Sequence, residues 1–380
     1  MNQNPEIGKS LPSEFKLKKQ IAPLDGFRGL AVILVMAYHF IGWFSFGWIG
    51  VDLFFVLSGF LITGKLWESV HEPGYYASFY LRRLLRIVPA YFLVLIIFFL
   101  LIPLVSDSAG QSLQPLLDTQ LYYWTFTLNI YDALHGWPEK IFLVHLWSVA
   151  TEMQYYLIWP FIVMAFARKH DRFALFLGIL CVVAILFRVF DERIAGLTSV
   201  SSYVMLPARM DAFCLGALVY VLSYSGTAEK MARYFLLLGG VAFLTIFFML
   251  GNNNFKWHHY QSIVEQVGYT LNAVLWAGLI GYSLGMPAAR STHFLSLPFM
   301  RRIGRYSYGM YLFHLPVGIL VNKLVARYMF LNGNWNWLQQ LFFIVLSFAL
   351  TFVLGMVSYH VYENRFLRMK ARIGVKGVAN

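Results

Sequence analysis

Apolar runs of about 20 residues recur along the whole of this 380-residue chain. A run of that length is what an α-helix needs to cross the roughly 30 Å hydrocarbon core of a bilayer at about 1.5 Å per residue. Ten such segments are expected, over approximately 27–44, 48–64, 88–105, 146–166, 173–190, 203–224, 235–250, 264–286, 306–325 and 338–362. The expected fold class is therefore all-α, a polytopic integral membrane protein of about ten transmembrane helices. Composition bears on this at one point: 59% of the residues are hydrophobic and 13% charged, about half the charge of an ordinary soluble domain.

Charge sets the expected orientation. The net charge is +12, with 30 Lys and Arg against 18 Asp and Glu. With the N-terminus in the cytoplasm, most of those cations fall in inner segments: Lys9 to Lys19, Arg28, Lys65, Arg82 to Arg86, Arg168 to Arg172, Lys230, Arg233, Arg290, Arg301 to Arg305, and the tail from Arg365. An excess of Lys and Arg on cytoplasmic loops is the positive-inside pattern. Both termini are thus expected in the cytoplasm, and the basic balance reports topology rather than nucleic-acid binding. The first 20 residues are polar and Lys-rich with no small-residue cleavage site, so no cleavable signal peptide is expected. Cys181 and Cys214 lie inside apolar runs and read as buried thiols. The Tyr- and Trp-rich stretch "LYYWTFTLNIYDALHGWP" suits an interfacial helix on the outer face, and the loops "NNNFKWHHY" and "NGNWNW" are aromatic in the same way. His258 and His259 are adjacent, their side chains diverge, and no metal site is expected there. The expected organisation is a cytoplasmic tail over 1–23, one membrane domain over 24–363 and a basic cytoplasmic tail over 364–380.

Ionisable groups inside spans are costly and mark function; here they are His39, Asp52, Glu152, Arg209, Asp211 and His314. In "LDGFRGLAVILVMAYHF", Arg28 and His39 are eleven residues apart. At about 100° per residue that is roughly 20° from three full turns, so both share one helix face, about 16 Å apart along the axis. Such a stripe, with Arg28 at the cytoplasmic mouth and His39 deep within, suits a long substrate with an anionic head and a reactive end. Estimated depths put His39, Glu152 and Arg209 in one layer. Glu152 then either neutralises Arg209, orients His39 or binds a substrate. Arg209 and Asp211 in "PARMDAF" fit a structural network or an acceptor site equally. Arg82, Arg83 and Arg86 in "SFYLRRLLRIVPAY" are either positive-inside anchors or phosphate ligands, and Arg28 either pairs with Asp25 or reaches a substrate. Ser148, at a helix start, reads as an N-cap. Ser307 and His314 in "GRYSYGMYLFHLPV" either contact substrate or serve helix packing, and the glycines of "GVDLFFVLSGFLIT" read as packing.

Taken together and in order, "LDGFRGLAVILVMAYHF", "GVDLFFVLSGFLIT", "FYLRRLLRIVPAY", "HLWSVATEMQYYLIWP" and "GRYSYGMYLFHLPV" resemble the membrane-bound acyltransferase 3 family. The resemblance covers nearly the whole chain, from about Leu24 to Glu363. It implies ten core spans and transfer of an acyl group, often acetyl, from acetyl-CoA or another acyl-CoA to a hydroxyl. The acceptors it implies are commonly sugars of surface polysaccharides or lipid-linked glycans. The family's Arg-x10-His pair maps onto Arg28 and His39, its Arg-x-x-Arg onto Arg83 and Arg86, and its Trp-Ser-x-x-x-Glu onto Trp147, Ser148 and Glu152. His39 is then the expected general base, with Glu152 as the second catalytic residue. Arg28, Arg82, Arg83 and Arg86 are the expected contacts to the donor. Asp52, Trp147, Ser148, Tyr156, Arg209, Asp211, Ser307 and His314 are candidates for contact with the acceptor, and no metal is expected. The family's usual Glu-Glu pair stands here as Glu152-Met153, so only the first carboxylate carries over. Some relatives add a C-terminal extracellular hydrolase-like domain; without one, transfer is expected to be direct or to use a separate extracytoplasmic transferase. The expected setting is the bacterial cytoplasmic (inner) membrane, with the bilayer, an acyl-CoA and a glycan as partners. Two competing readings are an acyltransferase for a small natural product and a proton-coupled transporter. The second lacks the paired interrupted spans that mark transporter repeats.

Overall fold

Each of the ten expected runs lies on a helix, as it must where no water is present to bond free backbone groups. The computed structural model describes residues 22–105, 107–138, 142–167, 169–191, 194, 196–225, 228–252, 264–286, 290–329 and 336–373. Helix makes up about 88% of it, and no strand occurs among the described residues. The first three long helices are α1 (Ala22–Phe40), α2 (Ile49–Ser69) and α3 (Tyr75–Ile96), the last running through a π-helical turn into α4 (Ile102–Val105). Short helices α5 (Asp107–Asp118), α6 (Gln120–Trp124) and α7 (Leu128–His135) follow. Next come α8 (Trp147–Ala165), α9 (His170–Phe190), α10 (Ser201–Val204), α11 (Leu206–Ser225), α12 (Ala228–Asn252) and α13 (Tyr269–Gly285). The remainder is α14 (Arg290–Ser296), α15 (Pro298–Met329), α16 (Trp337–Val357) and α17 (Asn364–Ile373).

Eight stretches are long and apolar enough to cross a membrane: Ile49–Ser69, Tyr75–Val105, His170–Phe190, Ser201–Ser223, Lys230–Met249, Val264–Gly285, Pro298–Arg327 and Trp337–Met369. The chain is thus a multi-pass membrane protein. The other two expected spans, α1 and α8, are helices of 19 residues each that fall outside this set. They are the helices that carry Asp25, Arg28 and His39, and Glu152, so part of their polarity comes from residues on which chemistry is expected. The third run begins earlier than 88: α3 starts at Tyr75, which puts Arg82, Arg83 and Arg86 on the same helix as its apolar half. His258, His259 and the lysines from Lys9 to Lys19 lie outside the described residues.

Packing sorts the helices into a centre and a rim. In α2 and in the Ser201–Ser223 stretch, 72% of the apolar window is buried, against 22–28% in α9, α12 and α16. The rim helices turn Leu175, Leu186, Leu244, Phe248, Leu338 and Val345 outward, the surface that suits lipid tails. At the centre, α2 and α11 cross at two glycines. A methyl at Gly59 would stand 2.0 Å from the Phe213 carbonyl oxygen, and one at Gly216 2.0 Å from that of Val56. Close backbone approach at small residues is how membrane helices gain packing without a hydrophobic drive. The α1–α15 contact uses the same device at Gly304, where a methyl would meet the Asp25 carbonyl oxygen at 1.8 Å.

Candidate active site

Two buried ion pairs separate framework charges from the rest. Asp52 on α2 pairs with Arg209 on α11, both at most 1% exposed. Asn272 on α13 donates to the same carboxylate, and the guanidinium lies 4.0 Å from the Tyr269 ring centre. Asp211 pairs with Arg188 of α9 at 3.0 Å and accepts from Thr270 at 2.5 Å. These contacts tie α2, α9, α11 and α13 together. They also answer the question about Glu152: the counter-ion of Arg209 is Asp52, because α11 packs on α2 through Gly59 and Gly216. Trp147 is core, against Tyr203 at 4.7 Å and Phe55 at 6.2 Å. Asp52, Trp147, Arg209 and Asp211 are therefore not brought to the cavity described next, and Arg188, which the sequence reading passed over, belongs with them.

A cavity of about 100 Å³ is enclosed by five helices. Its walls include Arg28 from α1, Ser58 from α2, Arg83 and Arg86 from α3, Ser148, Glu152 and Tyr156 from α8, and Ser307, Tyr308 and Tyr311 from α15. Seven of the expected site residues thus converge from four distant stretches of sequence. Glu152 Oε1 accepts from both Ser58 and Tyr156, the latter one helical turn on. The Arg83 guanidinium stands 5.7 Å from the ring centres of Phe79 and Tyr156, and its Nε is buried without a hydrogen-bond partner. Arg28 pairs with Asp25 at 3.1 Å and also lines the cavity. Among the described residues no carboxylate lies within ion-pair distance of Arg82, Arg83 or Arg86. Arg82, bonded to Ser78, lies instead on a second cavity that shares Arg83.

At the opposite end, Ser148 and Tyr311 close the floor. Their hydroxyls are 2.5 Å apart and each reaches the His145 carbonyl at 3.0 Å. Ser148 is not the N-cap: α8 is preceded by Leu146, and the serine hydroxyl is turned back to His145 from within the first turn. Ser307 likewise returns its hydroxyl to Gly304 at 2.9 Å.

His39 is half-buried and does not line this cavity, so the Arg28–His39 stripe is not one open track. The connection runs through Tyr311, whose ring lies 5.4 Å from those of both His145 and His314. The His314 ring is in turn 4.9 Å from His39 and 4.7 Å from His145. His39 Nδ1 is 2.9 Å from the Val35 carbonyl oxygen. A carbonyl only accepts, so neutral His39 carries its proton on Nδ1 and leaves the Nε2 lone pair free as a base. His314 donates through Nδ1 to the Tyr311 carbonyl at 2.6 Å, and His145 through Nε2 to that of Leu312 at 3.2 Å. The remaining nitrogen of each is buried without a hydrogen-bond partner. His145 escaped the sequence reading, though a signal was present. Pro316 has no N–H to give the Leu312 carbonyl four residues back, so that carbonyl needs a donor from elsewhere. Among the described residues no group of three His, Cys, Asp or Glu is arranged to hold a metal ion.

A family profile described as an acyltransferase domain matches residues 21–356. The chain belongs to this acyltransferase 3 family. A peptidoglycan O-acetyltransferase, OatA, of Listeria monocytogenes is 28% identical over 361 residues, covering 91% of this chain and 56% of the relative. A putative peptidoglycan O-acetyltransferase, YrhL, of Bacillus subtilis is 29% identical over 91% of this chain and 54% of its own. A putative O-acetyltransferase of Staphylococcus aureus is 25% identical over 93% and 58%. The chain thus spans a little over half the length of these curated relatives. No solved structure matches it.

Proposed function

We propose that this chain is an O-acetyltransferase of the bacterial cytoplasmic membrane, moving acetyl from acetyl-CoA, or acyl from another acyl-CoA, to a sugar hydroxyl of a glycan. One observation carries the reading: a single cavity runs from Arg83 and Arg86, which have no carboxylate partner among the described residues, and from Arg28, paired to Asp25, to a hydroxyl- and carboxylate-lined floor beside a histidine cluster. A partly buried guanidinium left without an anion is costly, and its forked donors match phosphate oxygens. The Arg28, Arg83 and Arg86 end therefore fits the phosphates of the donor, and the thioester belongs toward Glu152, Ser148 and Tyr311.

In this scheme the thioester end of the donor passes Tyr311 to reach the histidine cluster, and His39 Nε2 takes the proton of the acceptor hydroxyl as its oxygen attacks the thioester carbonyl. The C–S bond breaks, and the leaving thiolate takes that proton from the imidazolium. The Val35 carbonyl holds the ring in the tautomer this requires. Glu152, fixed by Ser58 and Tyr156 and not engaged by Arg209, is placed to accept a hydrogen bond from the acceptor. The names of the relatives support acetyl as the group moved and a cell-wall glycan as the acceptor.

The test is transfer in vitro. Full-length protein in detergent is incubated with acetyl-labelled acetyl-CoA and solubilised peptidoglycan fragments. Label is expected to appear as an acetyl ester, and His39→Ala and Arg83→Ala are expected to abolish it. The proposal fails if wild type neither transfers nor hydrolyses any acyl-CoA, or if His39→Ala is as active as wild type.

A further inference from the structure

Beside the active-site cavity lies a second one of about 240 Å³, and Arg83 is on the wall of both. It occupies the turn between α2 and α3 and is lined by Lys65, Ser69, Tyr75, Ser78, Phe79 and Arg82 as well as Arg83. Lys65 is exposed at its rim and lies in the field of Arg28, Arg82, Arg83 and Arg86 together. Glu68 and Glu72 also border the cavity, yet neither is within ion-pair distance of Lys65, Arg82 or Arg83. Among the described residues, five cations thus gather with one carboxylate, Asp25, paired to any of them. Assembling like charges costs free energy, which a ligand carrying more than one phosphate group would offset.

We infer that the second cavity holds the nucleotide end of the donor, with Lys65 and Arg82 on its ribose 3′-phosphate. The inference rests on the acyl-CoA reading above and specifies it. A CoA thioester carries two separate phosphate groups, the diphosphate that leads to the acyl-bearing arm and the monoester on the ribose. The two cavities supply two cationic sites joined at Arg83, so Arg83 and Arg86 face the diphosphate at the mouth of the first. A monoester dianion is matched by a compact ammonium such as Lys65 next to a guanidinium. Phe79 and Tyr75 also border this cavity, with both rings packed against their neighbours. An anionic lipid such as phosphatidylglycerol offers the same phosphate chemistry, but its single phosphodiester supplies only one of the two phosphate groups that the two cavities would take.

Calorimetric titration of the full-length protein in neutral detergent, with CoA and with 3′-dephospho-CoA, tests this. Wild type is expected to bind CoA about tenfold more tightly, the scale of a charged hydrogen bond. Lys65→Met is expected to bring the ratio close to one by weakening CoA alone, and Lys65→Arg to restore it. Equal wild-type affinities, or a Lys65→Met loss that falls equally on both ligands, overturn the inference. Arg83→Gln, expected to weaken both ligands, monitors the underlying reading. If neither ligand binds wild type, the donor reading falls and takes this inference with it. If Arg83→Gln weakens both but Lys65→Met leaves the ratio intact, the donor reading stands and this inference alone is lost. Should Lys65→Met abolish binding of phosphatidylglycerol added to the micelles while leaving the CoA ratio unchanged, the cavity is a headgroup site and the inference is overturned.

Discussion

Replacing Asp52 by Ala leaves the Arg209 guanidinium, 1% exposed, without its carboxylate. Removing one partner of a buried pair costs about 3–5 kcal/mol, because the remaining charge is uncompensated. The Tyr269 ring at 4.0 Å attracts the cation before and after the change, so it does not lower the difference. Asn272 loses its acceptor as well, which adds about 1–3 kcal/mol for an unsatisfied buried amide and moves the expected cost to the upper end, about 5 kcal/mol. At about 2.1 cal/mol/K of unfolding entropy per residue, a chain of 380 residues loses about 6 °C in Tm. Helices that persist in detergent reduce that entropy, so about 6 °C is a floor. The assay is thermal unfolding of purified protein in detergent, followed by tryptophan fluorescence. The double variant Asp52→Ala/Arg209→Met, which removes the charge with its partner, is expected to recover most of the loss. Glu152→Gln is expected to shift Tm by less than about 2 °C, since its partners Ser58 and Tyr156 can still donate to the amide oxygen. A melt for Asp52→Ala within about 2 °C of wild type, or a double variant less stable than the single one, would refute the argument.

Three further outcomes are expected. Arg83→Lys keeps the charge but loses the planar fork that lies against Phe79 and Tyr156, so KM for acyl-CoA rises about tenfold with kcat little changed; an unchanged KM contradicts the donor contact. Gly216→Val forces a side chain into the Val56 carbonyl and is expected to abolish recovery of monodisperse protein, whereas Gly178→Ala, with open space around it, leaves recovery unchanged; size-exclusion profiles of the two decide. Asp132, on α7 outside the spans, has both carboxylate oxygens buried without hydrogen bonds, and burial pushes its carboxyl up to about 8. A carboxyl held neutral in the folded state weakens that state as pH rises from the unfolded value near 4 to about 8, and adds nothing further above that. Asp132→Asn should therefore leave Tm unchanged near pH 4 and raise it by several degrees at pH 8; equal shifts at both would sink the idea.

What could be seen in the sequence is what depends on local period and order. The convergence of Arg28, Arg83, Arg86, Glu152 and Ser307 followed from motif order, and α3 carries its arginines on a helix because the basic amphipathic stretch continues the apolar one without a break. The partner of Arg209 could not be read. Asp52 and Glu152 were both intramembrane carboxylates, and the choice is made by which backbone comes closest to α11, a matter of two glycines rather than of depth. His145 sits in a single 3-10 turn ahead of α8, outside any periodic segment, and is placed by a carbonyl that a proline on another helix leaves free. The open Arg28–His39 track failed for a similar reason. Arg28 lines the cavity and His39 does not; Tyr311, from a helix nearly 300 residues later in the chain, lines the cavity and packs beside His314, which in turn packs on His39.

The interior cations divide by whether a carboxylate meets them. Arg209 and Arg188 stand between neighbouring spanning helices, each with its own aspartate; Arg188 also donates to the Gln266 and Ala208 carbonyls and to Thr270, and Asn272 donates to Asp52. Neutral overall, such pairs fix which helices touch and offer nothing to a ligand. Lys65, Arg82, Arg83 and Arg86 gather where α2 turns into α3, with Arg28 beside them. Their mutual repulsion opposes folding in the absence of an anion. The cross-ties from α2 to α11 and α13 hold one wall of that turn independently of the cationic cluster, so the site can stay charged while empty. Disrupting the frame at Asp52 is therefore expected to lower stability whether or not donor is present. Neutralising Lys65, by contrast, should raise the stability of the ligand-free protein and lower the extra stability that CoA confers. Two melts of the same variant, with and without CoA, separate the two kinds of charge.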